Sequence, residues 1–214
     1  MKKATVFIVD DHSIVRQGLG LIIDQEEDLE VVGGAGDEAE ALAAMTERLP
    51  DVAVIDLSLK GGSGLDLIKA IRERSWAFPV LVLSMHDEAL YAERALRAGA
   101  NGYIMKEQAD EAVLDGLRTV LKGELFVSRE VQSRMLQQYI GGQKELSGVE
   151  TLSDRELQVF ELIGQGLSTQ QIADRLELSV KTIEAHRVRI KKKLNTDTAS
   201  QLMQQAVLWV DEHR

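Results

Sequence analysis

Five short apolar runs separated by amphipathic stretches constrain the first half of this sequence more than any other feature. The runs are "TVFIVD", "LEVVG", "DVAVID", "PVLVLS" and "NGYIM", and each is followed by a stretch with helical periodicity. Strands buried on both faces of a parallel sheet are continuously apolar, as these runs are. The pattern therefore predicts an α/β fold, a doubly wound five-stranded parallel sheet with right-handed crossover helices on both faces.

The pattern changes after residue 123. Residues 124–150 hold one helical repeat, which Gly141 and Gly142 end, and then a polar stretch that predicts a flexible linker from Gly141 to Glu150. Residues 151–214 contain helical patterns only and form a second, smaller all-α domain. We therefore expect a first domain over 1–123, a linker with one helix over 124–150 and a second domain over 151–214.

Three serines are predicted to cap the first three helices of the second domain. They are Ser153, Ser168 and Ser179. The first two are followed three positions later by Glu156 and Gln171, which completes a capping box in each case. A fourth helix is expected over about 198–209. Four short helices in this length predict a small core.

Composition excludes several classes of protein. The chain has 214 residues, of which 44% are hydrophobic and 28% charged, as is ordinary for a soluble globular protein. Its apolar runs are far shorter than the roughly 18 residues of a membrane span, and the N-terminal run is too short for a signal peptide. The sequence has no cysteine, which excludes disulfides, thiolate catalysis and cysteine-based zinc sites. We expect a cytoplasmic protein without membrane contact.

The net charge of −10 is unevenly distributed. Residues 1–123 carry 13 basic and 22 acidic side chains, whereas residues 179–194 carry six basic side chains and one acidic one. A cationic patch on an otherwise acidic chain indicates two modules with different partners.

Polar residues follow four of the five predicted strands at the point where each strand ends. They are Asp10 and Asp11 after the first, Asp56 after the third, Ser84 at the end of the fourth and Lys106 after the fifth. The carboxyl ends of parallel strands share one edge, where doubly wound sheets bind ligands. Three neighbouring carboxylates repel one another unless a cation joins them, and Mg²⁺ is the hard, oxygen-seeking candidate. Each residue alone fits a turn, a helix cap or a surface charge, but their coincidence at one edge predicts a site.

The motifs "VDDH", "VIDLSLKGGSGLDLI", "VLSMHDE" and "GYIMK" together resemble the receiver domain of two-component response regulators over about residues 1–123. The resemblance implies a flavodoxin-like fold in which a sensor histidine kinase phosphorylates Asp56. It implies that Mg²⁺ is held by Asp10, Asp11, Asp56 and the backbone carbonyl of Ser58. It also implies three residues that respond to the phosphoryl group: the switch hydroxyl of Ser84, the rotating aromatic ring of Tyr103 and the phosphate-binding Lys106.

One departure from the receiver pattern is visible. Lys60 stands four residues after Asp56, where the family usually has proline. The following "GGSG" still supplies turn residues, so we expect a changed loop around an intact site.

Phosphorylation would bias a two-state surface formed by the fourth helix, fifth strand and fifth helix.

The motifs "LSDRE", "IADRL" and "SVKTIEAHRVRIKKKL" resemble the helix-turn-helix domain of the NarL/LuxR family over nearly all of residues 151–214. Independently of the resemblance, Ile183, Ile190 and Leu194 share one face of a helix whose opposite face is basic. A helix of this kind fits the major groove of double-stranded DNA. The preceding corner, "RLELSV", lacks the glycine often found there.

Residue types divide the predicted DNA contacts into two groups. The candidates for base edges are Glu184, Ala185 and Val188. The candidates for phosphates are Lys181, Thr182, Arg187, Arg189, Lys191 and Lys192. His186 leans toward the apolar face, which favours a structural role. The last helix is expected to expose a stripe of Leu202, Ala206 and Trp209, and the resemblance implies that this helix forms a homodimer in the active protein. A plain core helix would show a similar stripe.

The leading interpretation is a DNA-binding response regulator and not an enzyme, apart from self-phosphorylation from a phosphodonor and slow autodephosphorylation. An enzyme with a flavodoxin-like fold is an alternative, but neither G-x-G-x-x-G nor G-x-x-x-x-G-K-[ST] occurs. A regulator that ignores phosphorylation is a third possibility. The complete set of residues at the strand ends argues against it.

Overall fold

The described part of the chain, residues 2–141 and 148–212 of a computed structural model, divides into two compact units. The units are Met1–Leu136 and Gln137–Arg214. Most of the predicted flexible stretch, residues 142–147, lies outside the described residues. None of the helices described combines the length and the apolar character needed to cross a membrane.

A five-stranded parallel sheet in the order β2-β1-β3-β4-β5 forms the centre of the first unit. Its strands are β1 (Ala4–Val9), β2 (Leu29–Ala35), β3 (Val52–Ile55), β4 (Val80–Ser84) and β5 (Gly102–Met105). The strand order reverses between β1 and β3, which is the flavodoxin-like arrangement. The predicted fold is confirmed, although the edge strand β2 is only partly buried.

Helices cover both faces of this sheet. They are α1 (Ser13–Asp24), α2 (Glu38–Glu47), α3 (Gly64–Glu73), α4 (Glu88–Ala98) and α5 (Ala109–Leu121), and a further helix, α6 (Arg129–Gly141), follows. One core lies between the sheet and the pair α1 and α5, with Ile8, Ile23 and Leu117 among its buried side chains. On the other side, α2 packs against α3 and α3 against α4. The alternating pattern of the sequence produces these two layers because each helix buries one apolar stripe.

The segment between α5 and α6 adds to the outer edge of the sheet. Phe126 forms a parallel bridge with Gly102 in β5. The Tyr103 N–H donates to the Phe126 carbonyl at 2.8 Å, and the Ser128 N–H donates to Glu88 Oε1, in the first turn of α4, at 3.0 Å. This segment therefore pairs with backbone groups of β5 that would otherwise be free at the edge of the sheet. It also joins the start of α6 to α4.

The second unit contains the predicted helices. They are α7 (Asp154–Gly164), α8 (Thr169–Arg175), α9 (Val180–Lys193) and α10 (Ala199–Glu212). Ser153, Ser168 and Ser179 accept hydrogen bonds as N-caps, and the first two form complete capping boxes. Each cap satisfies backbone donors that a helix leaves free at its first turn.

The predicted stripe on α10 is wrong in its orientation. Leu202 and Ala206 are fully buried, and Trp209 packs its ring against that of Phe160, with centroids 5.8 Å apart. These residues face α7, because the small core of this unit needs the most continuous apolar stripe that α10 offers. The large apolar side chains that α10 exposes are instead Met203, Val207 and Leu208.

The corner between α8 and α9 has no glycine, and a different residue adopts the left-handed conformation. Glu177 has φ of 53°, and the next residue, Leu178, donates its N–H to the Ala173 carbonyl at 2.9 Å. A non-glycine residue in this region costs roughly 1–2 kcal/mol. The corner therefore closes as the helix-turn-helix pattern predicts, at a cost that glycine would avoid.

Candidate functional site

The carboxyl edge of the sheet brings together the residues predicted from the strand ends. Asp10 follows β1, Asp56 follows β3, Ser84 ends β4 and Lys106 follows β5. Asp10 and Asp56 are each only 2% exposed, and Ser84 is fully buried. Two carboxylates that are both buried and close together need a compensating cation.

Lys106 supplies that positive charge. Its Nζ lies 2.7 Å from Asp10 Oδ2 and 2.7 Å from Asp56 Oδ2. Burial raises the pKa of the Asp56 carboxyl above its ordinary value, although Lys106 opposes the shift. Burial by itself would lower the pKa of the Lys106 ammonium, but the carboxylates of Asp56 and Asp10 outweigh it and raise that pKa. Lys106 is therefore a permanent cation at the carboxyl edge.

Helix capping does not explain these polar residues in the structure. The N-cap of α1 is His12 and not either aspartate, while Asp10 Oδ1 accepts the His12 N–H at 2.8 Å. The N-cap of α4 is Asp87 and not Ser84. Asp10 and Ser84 are therefore free of the capping roles that a strand-to-helix turn often requires.

A cluster of possible metal ligands lies at the same edge. Asp10, Asp11, His12 and Asp56 each offer one ligand atom, and these atoms lie within 4.8 Å of one another. The three carboxylates are hard oxygen donors of the kind that Mg²⁺ prefers. His12 was not predicted as part of the cluster, although it stands next to the aspartates in "VDDH"; its Nδ1 lies 2.7 Å from Asp11 Oδ1.

The loop after β3 is shaped by backbone contacts at Asp56. The Ser58 N–H donates to Asp56 Oδ1 at 3.2 Å, and the turn that contains Lys60 closes with the Gly62 N–H on the Leu59 carbonyl at 3.3 Å. A Cβ at Gly64 would overlap the Asp56 carbonyl oxygen. The last glycine of "GGSG" is therefore required for α3 to approach Asp56, a reason that turn propensity did not reveal.

The predicted switch residues are both inside the protein. Tyr103 is 2% exposed, and its hydroxyl donates to the His86 carbonyl at 2.8 Å. Burial raises the pKa of the Tyr103 phenol well above its ordinary value, so the ring remains neutral. Ser84 Oγ accepts the His86 N–H at 3.2 Å. The ring of Tyr103 therefore occupies an inward position beside the loop that follows Ser84.

The basic helix α9 presents its predicted contact face to solvent. Ile183 and Ile190 are fully buried, whereas Val188 on the opposite face is 62% exposed. Exposed with Val188 are Lys181, Glu184, Ala185, Arg189 and Lys192, and the remaining candidates Thr182, Arg187 and Lys191 are partly buried. An exposed helix face with several basic residues has the shape and charge that the major groove accommodates.

Lys193 and His186 of α9 interact within the second unit. Lys193 Nζ lies 2.6 Å from Oε2 of the buried Glu156, at the start of α7. Burial opposes ionisation of Glu156, but hydrogen bonds from Lys193 and Ser153 outweigh it and lower the pKa of that carboxyl. His186 lies inward as expected, and its Nδ1 is buried without a hydrogen-bond partner among the described residues.

A doubly wound sheet with an aspartate and lysine pocket at its carboxyl edge, joined to a helix-turn-helix unit, defines the class of DNA-binding response regulators. Residues 6–118 match the family described as response regulator receiver domain, and residues 150–206 match that described as bacterial regulatory proteins, luxR family. The chain belongs to the NarL/LuxR-type response regulators.

Curated relatives and solved structures agree with this assignment. The oxygen regulatory protein NreC of Staphylococcus haemolyticus (strain JCSC1435) is 38% identical over 209 residues, which cover 94% of this chain and 96% of the relative. The structure of RcsB from Salmonella enterica serovar Typhimurium, bound to promoter rprA with the phosphomimetic BeF3−, is 28% identical, with a TM-score of 0.66 over 95% of this chain and 98% of that chain. The response regulator ChrA of a heme-sensing two-component system is 30% identical, with a TM-score of 0.53 over 98% of each chain.

Proposed function

We propose that a sensor histidine kinase phosphorylates Asp56 and that this modification controls sequence-specific DNA binding and transcription. The observation that carries the proposal is the position of Lys106, which bridges Asp10 and Asp56 at the carboxyl edge of the sheet. The same chain presents an exposed basic helix for DNA. An acceptor site and a nucleic-acid reader in one chain are the two parts that such a regulator needs.

The reaction transfers a phosphoryl group from a nitrogen or oxygen atom of the donor to a carboxylate oxygen of Asp56. A carboxylate oxygen of Asp56 attacks the phosphorus of a phosphohistidine or of acetyl phosphate, and the bond from phosphorus to the imidazole nitrogen or acetate oxygen breaks as that group leaves. Lys106 offsets the negative charge on the transferring group. Water later hydrolyses the acyl phosphate, so the chain phosphorylates and dephosphorylates itself slowly.

Mg²⁺ fits the donor set at this edge. Asp10, Asp11 and Asp56 would hold it through carboxylate oxygens, and the backbone carbonyl of Ser58 is proposed as a further ligand. When bound, the ion neutralises charge on the phosphoryl oxygens. The Ser84 hydroxyl is proposed to move toward the phosphoryl group and to donate a hydrogen bond to one of its oxygens. This movement couples the modification to the inward ring of Tyr103.

The DNA contacts are proposed to follow residue type. Glu184, Ala185 and Val188 meet base edges in the major groove, and the six basic or hydroxyl candidates from Lys181 to Lys192 bind phosphates. The active form is proposed to be a homodimer that reads two half-sites about one helical turn apart. A solved structure of RcsB, 27% identical to this chain, contains two dimers bound to two parallel DNAs, which supports this assembly.

The proposed domains are a receiver over 1–123, a linker with one helix over 124–150 and a DNA-binding domain over 151–214. The protein is proposed to act in the cytoplasm, where chromosomal DNA is accessible. The alternative of a phosphorylation-independent regulator is decided by the same experiment as the main proposal.

The test compares wild-type protein with Asp56→Ala, and uses Asp66→Ala, an exposed aspartate of α3, as the matched control. Each protein is incubated with acetyl phosphate and Mg²⁺, and intact mass and DNA affinity are measured at one stated salt concentration. Wild type and the control are expected to gain one phosphoryl mass and to bind DNA more tightly, whereas Asp56→Ala does neither. Equal DNA affinity with and without the phosphodonor would establish the phosphorylation-independent alternative.

A further inference from the structure

His86 contacts three of the residues around the acceptor site, and we propose that it positions Asp56 for phosphoryl transfer. The inference rests on the proposed phosphorylation of Asp56. It adds a residue that lies outside the predicted set of metal, acceptor and switch residues. His86 follows Ser84 by two positions, in the loop between β4 and α4.

The side chain of His86 joins the two loops that flank the acceptor. Its Nε2 lies 2.9 Å from Ser58 Oγ, in the loop after β3. The Ser58 N–H in turn donates to Asp56 Oδ1 at 3.2 Å. The imidazole therefore helps to set the position of the backbone amide that holds one oxygen of the acceptor carboxylate.

The ring of His86 is held in place by stacking. It lies against the ring of Tyr91 in α4, with centroids 4.4 Å apart and an angle of 28° between the planes. Tyr91 is itself buried. A stacked aromatic pair fixes the plane of the imidazole, and this fixes the direction in which Nε2 meets Ser58.

The backbone of His86 binds the two switch residues. Its N–H donates to Ser84 Oγ at 3.2 Å, and its carbonyl accepts from the Tyr103 hydroxyl at 2.8 Å. The same residue thus touches the hydroxyl that is proposed to meet the phosphoryl group and the ring that is proposed to respond. A change in the position of His86 therefore affects both Ser84 and Tyr103.

The orientation of the acceptor follows from two restraints. Lys106 holds Asp56 Oδ2 at 2.7 Å, and the Ser58 amide holds Oδ1. With both restraints, the carboxylate presents a fixed plane to an incoming phosphorus atom. When the contact between Ser58 and His86 is lost, the loop gains freedom, and a displacement of about 1 Å can slow a reaction by up to two orders of magnitude.

The experiment uses the full chain with His86→Asn, His86→Gln, Ser58→Ala and the double variant Ser58→Ala/His86→Asn. Glutamine places its amide near the position of Nε2, whereas the shorter asparagine does not, and Ser58→Ala leaves the backbone carbonyl in place. The rate of phosphoryl uptake from acetyl phosphate in Mg²⁺ is followed by intact mass over a range of donor concentrations. Thermal unfolding is measured on every variant.

His86→Asn and Ser58→Ala are each expected to lower the maximal rate about tenfold with the half-saturating donor concentration unchanged. His86→Gln is expected to retain most of the wild-type rate. The double variant is expected to be no slower than either single variant, because both remove the same contact. A purely structural role predicts instead that both His86 variants, which lose the stacked ring, are equally slow.

Three results would overturn the inference. These are a wild-type rate in His86→Asn, an equal loss in His86→Gln and His86→Asn, or a double variant slowed by the product of the single factors. Failure of the proposed function has a different signature. In that case neither wild-type protein nor any His86 variant gains phosphoryl mass.

Discussion

Charge balance at the carboxyl edge depends on the ammonium group of Lys106. Lys106 is the cation that Asp10 and Asp56 share, and both carboxylates are buried. Buried charges are tolerated when they are paired, and the loss of one partner leaves the other uncompensated. Lys106 is therefore important for the stability of this edge, and the same side chain is the one proposed to bind the phosphoryl group.

Replacement of Lys106 by methionine is expected to lower the free energy of unfolding by about 3 kcal/mol without divalent cations, because two buried carboxylates lose their common partner. Added Mg²⁺ is expected to restore part of the loss, since a bound ion stabilises the folded state. Urea unfolding with and without MgCl2 measures both effects. Lys69→Met is the control, because Lys69 and Asp66 are exposed and 3.7 Å apart, and its loss is expected to stay within about 0.5 kcal/mol. Equal losses in the two variants would contradict the prediction.

His186 gives the second unit a dependence on pH. Burial lowers the pKa of its imidazole below the ordinary value, and the neighbouring Arg189 lowers it further. The unfolded chain therefore takes up the proton at a higher pH than the folded chain does. The stability that depends on neutral His186 is complete above the unfolded pKa of about 6.5 and is lost as pH falls through that value toward the folded pKa.

Thermal unfolding between pH 7.5 and pH 5 measures this effect. Wild-type protein is expected to lose stability in its second unit as pH falls, and His186→Met, which fills a similar volume without titrating, is expected to lose less over the same range. If the two proteins lost stability in parallel, other groups would account for the pH dependence.

At the scale of elements, the contact between α7 and α10 decides which face of α10 is available. Gly164, at the end of α7, lies so close to α10 that a Cβ would overlap the Ala206 carbonyl oxygen. This approach buries Leu202 and Ala206 and leaves Met203, Val207 and Leu208 outside. Any homodimer contact made by α10 must therefore use the second group.

Glycine-to-alanine changes test this approach. Gly164→Ala is expected to lower the free energy of unfolding by about 1–3 kcal/mol, because the added methyl group forces the two helices apart. Gly18→Ala, in α1, is the matched control, since nothing lies within 4 Å of its added Cβ. That change is expected to raise stability by about 0.5–1 kcal/mol, because alanine is favoured over glycine inside a helix. Chemical denaturation of each variant gives the sign, and a stabilising effect of Gly164→Ala would show that α10 is free to move.

The segment after α5 changes the surface expected to respond to phosphorylation. Part of the face formed by α4 and β5 is covered by the chain itself, through the bridge of Phe126 with Gly102 and the bond from Ser128 to Glu88. We therefore expect a movement of α4 or β5 to displace the start of α6, which these two contacts join to them.

At the scale of the whole molecule, the net charge of −10 leads us to expect that DNA binding depends strongly on the exposed cations of α9. Long-range attraction to DNA depends on these cations, because the rest of the chain is predominantly acidic. Affinity is therefore expected to depend steeply on salt.

Lys192→Ala is expected to weaken binding to all DNA sequences by a similar factor and to reduce the salt slope by about 0.9, since one phosphate contact is lost. Val188→Ala is expected to relax the preference at one base pair with little change in the slope. Lys122→Ala, which changes the net charge equally but lies in the first unit, is the control. Titrations of DNA at several salt concentrations separate the three variants, and a similar slope change in Lys122→Ala would point to net charge instead of a local contact.

Much of the candidate site could be predicted because its residues stand at the ends of recognisable strands. Parallel strands place their carboxyl ends at one edge, so Asp10, Asp56 and Lys106 had to meet there. The N-caps of the second unit were equally predictable, since a cap and its partner lie three residues apart. The stripe on α10 was not, because its apolar residues occupy more than one face and periodicity does not say which face is buried.

The sequence by itself determined the succession of strands and helices along the chain, the sheet edge where Asp10, Asp56 and Lys106 meet, and the exposed basic face of α9. These features follow from local periodicity and from the position of a residue within its own element. Only the tertiary structure decided that His86 meets Ser58, 28 residues away, and that Lys193 meets Glu156, 37 residues away. The physical reason is that side-chain contacts over such separations depend on how packed elements approach one another, and no repeat along the chain encodes that approach.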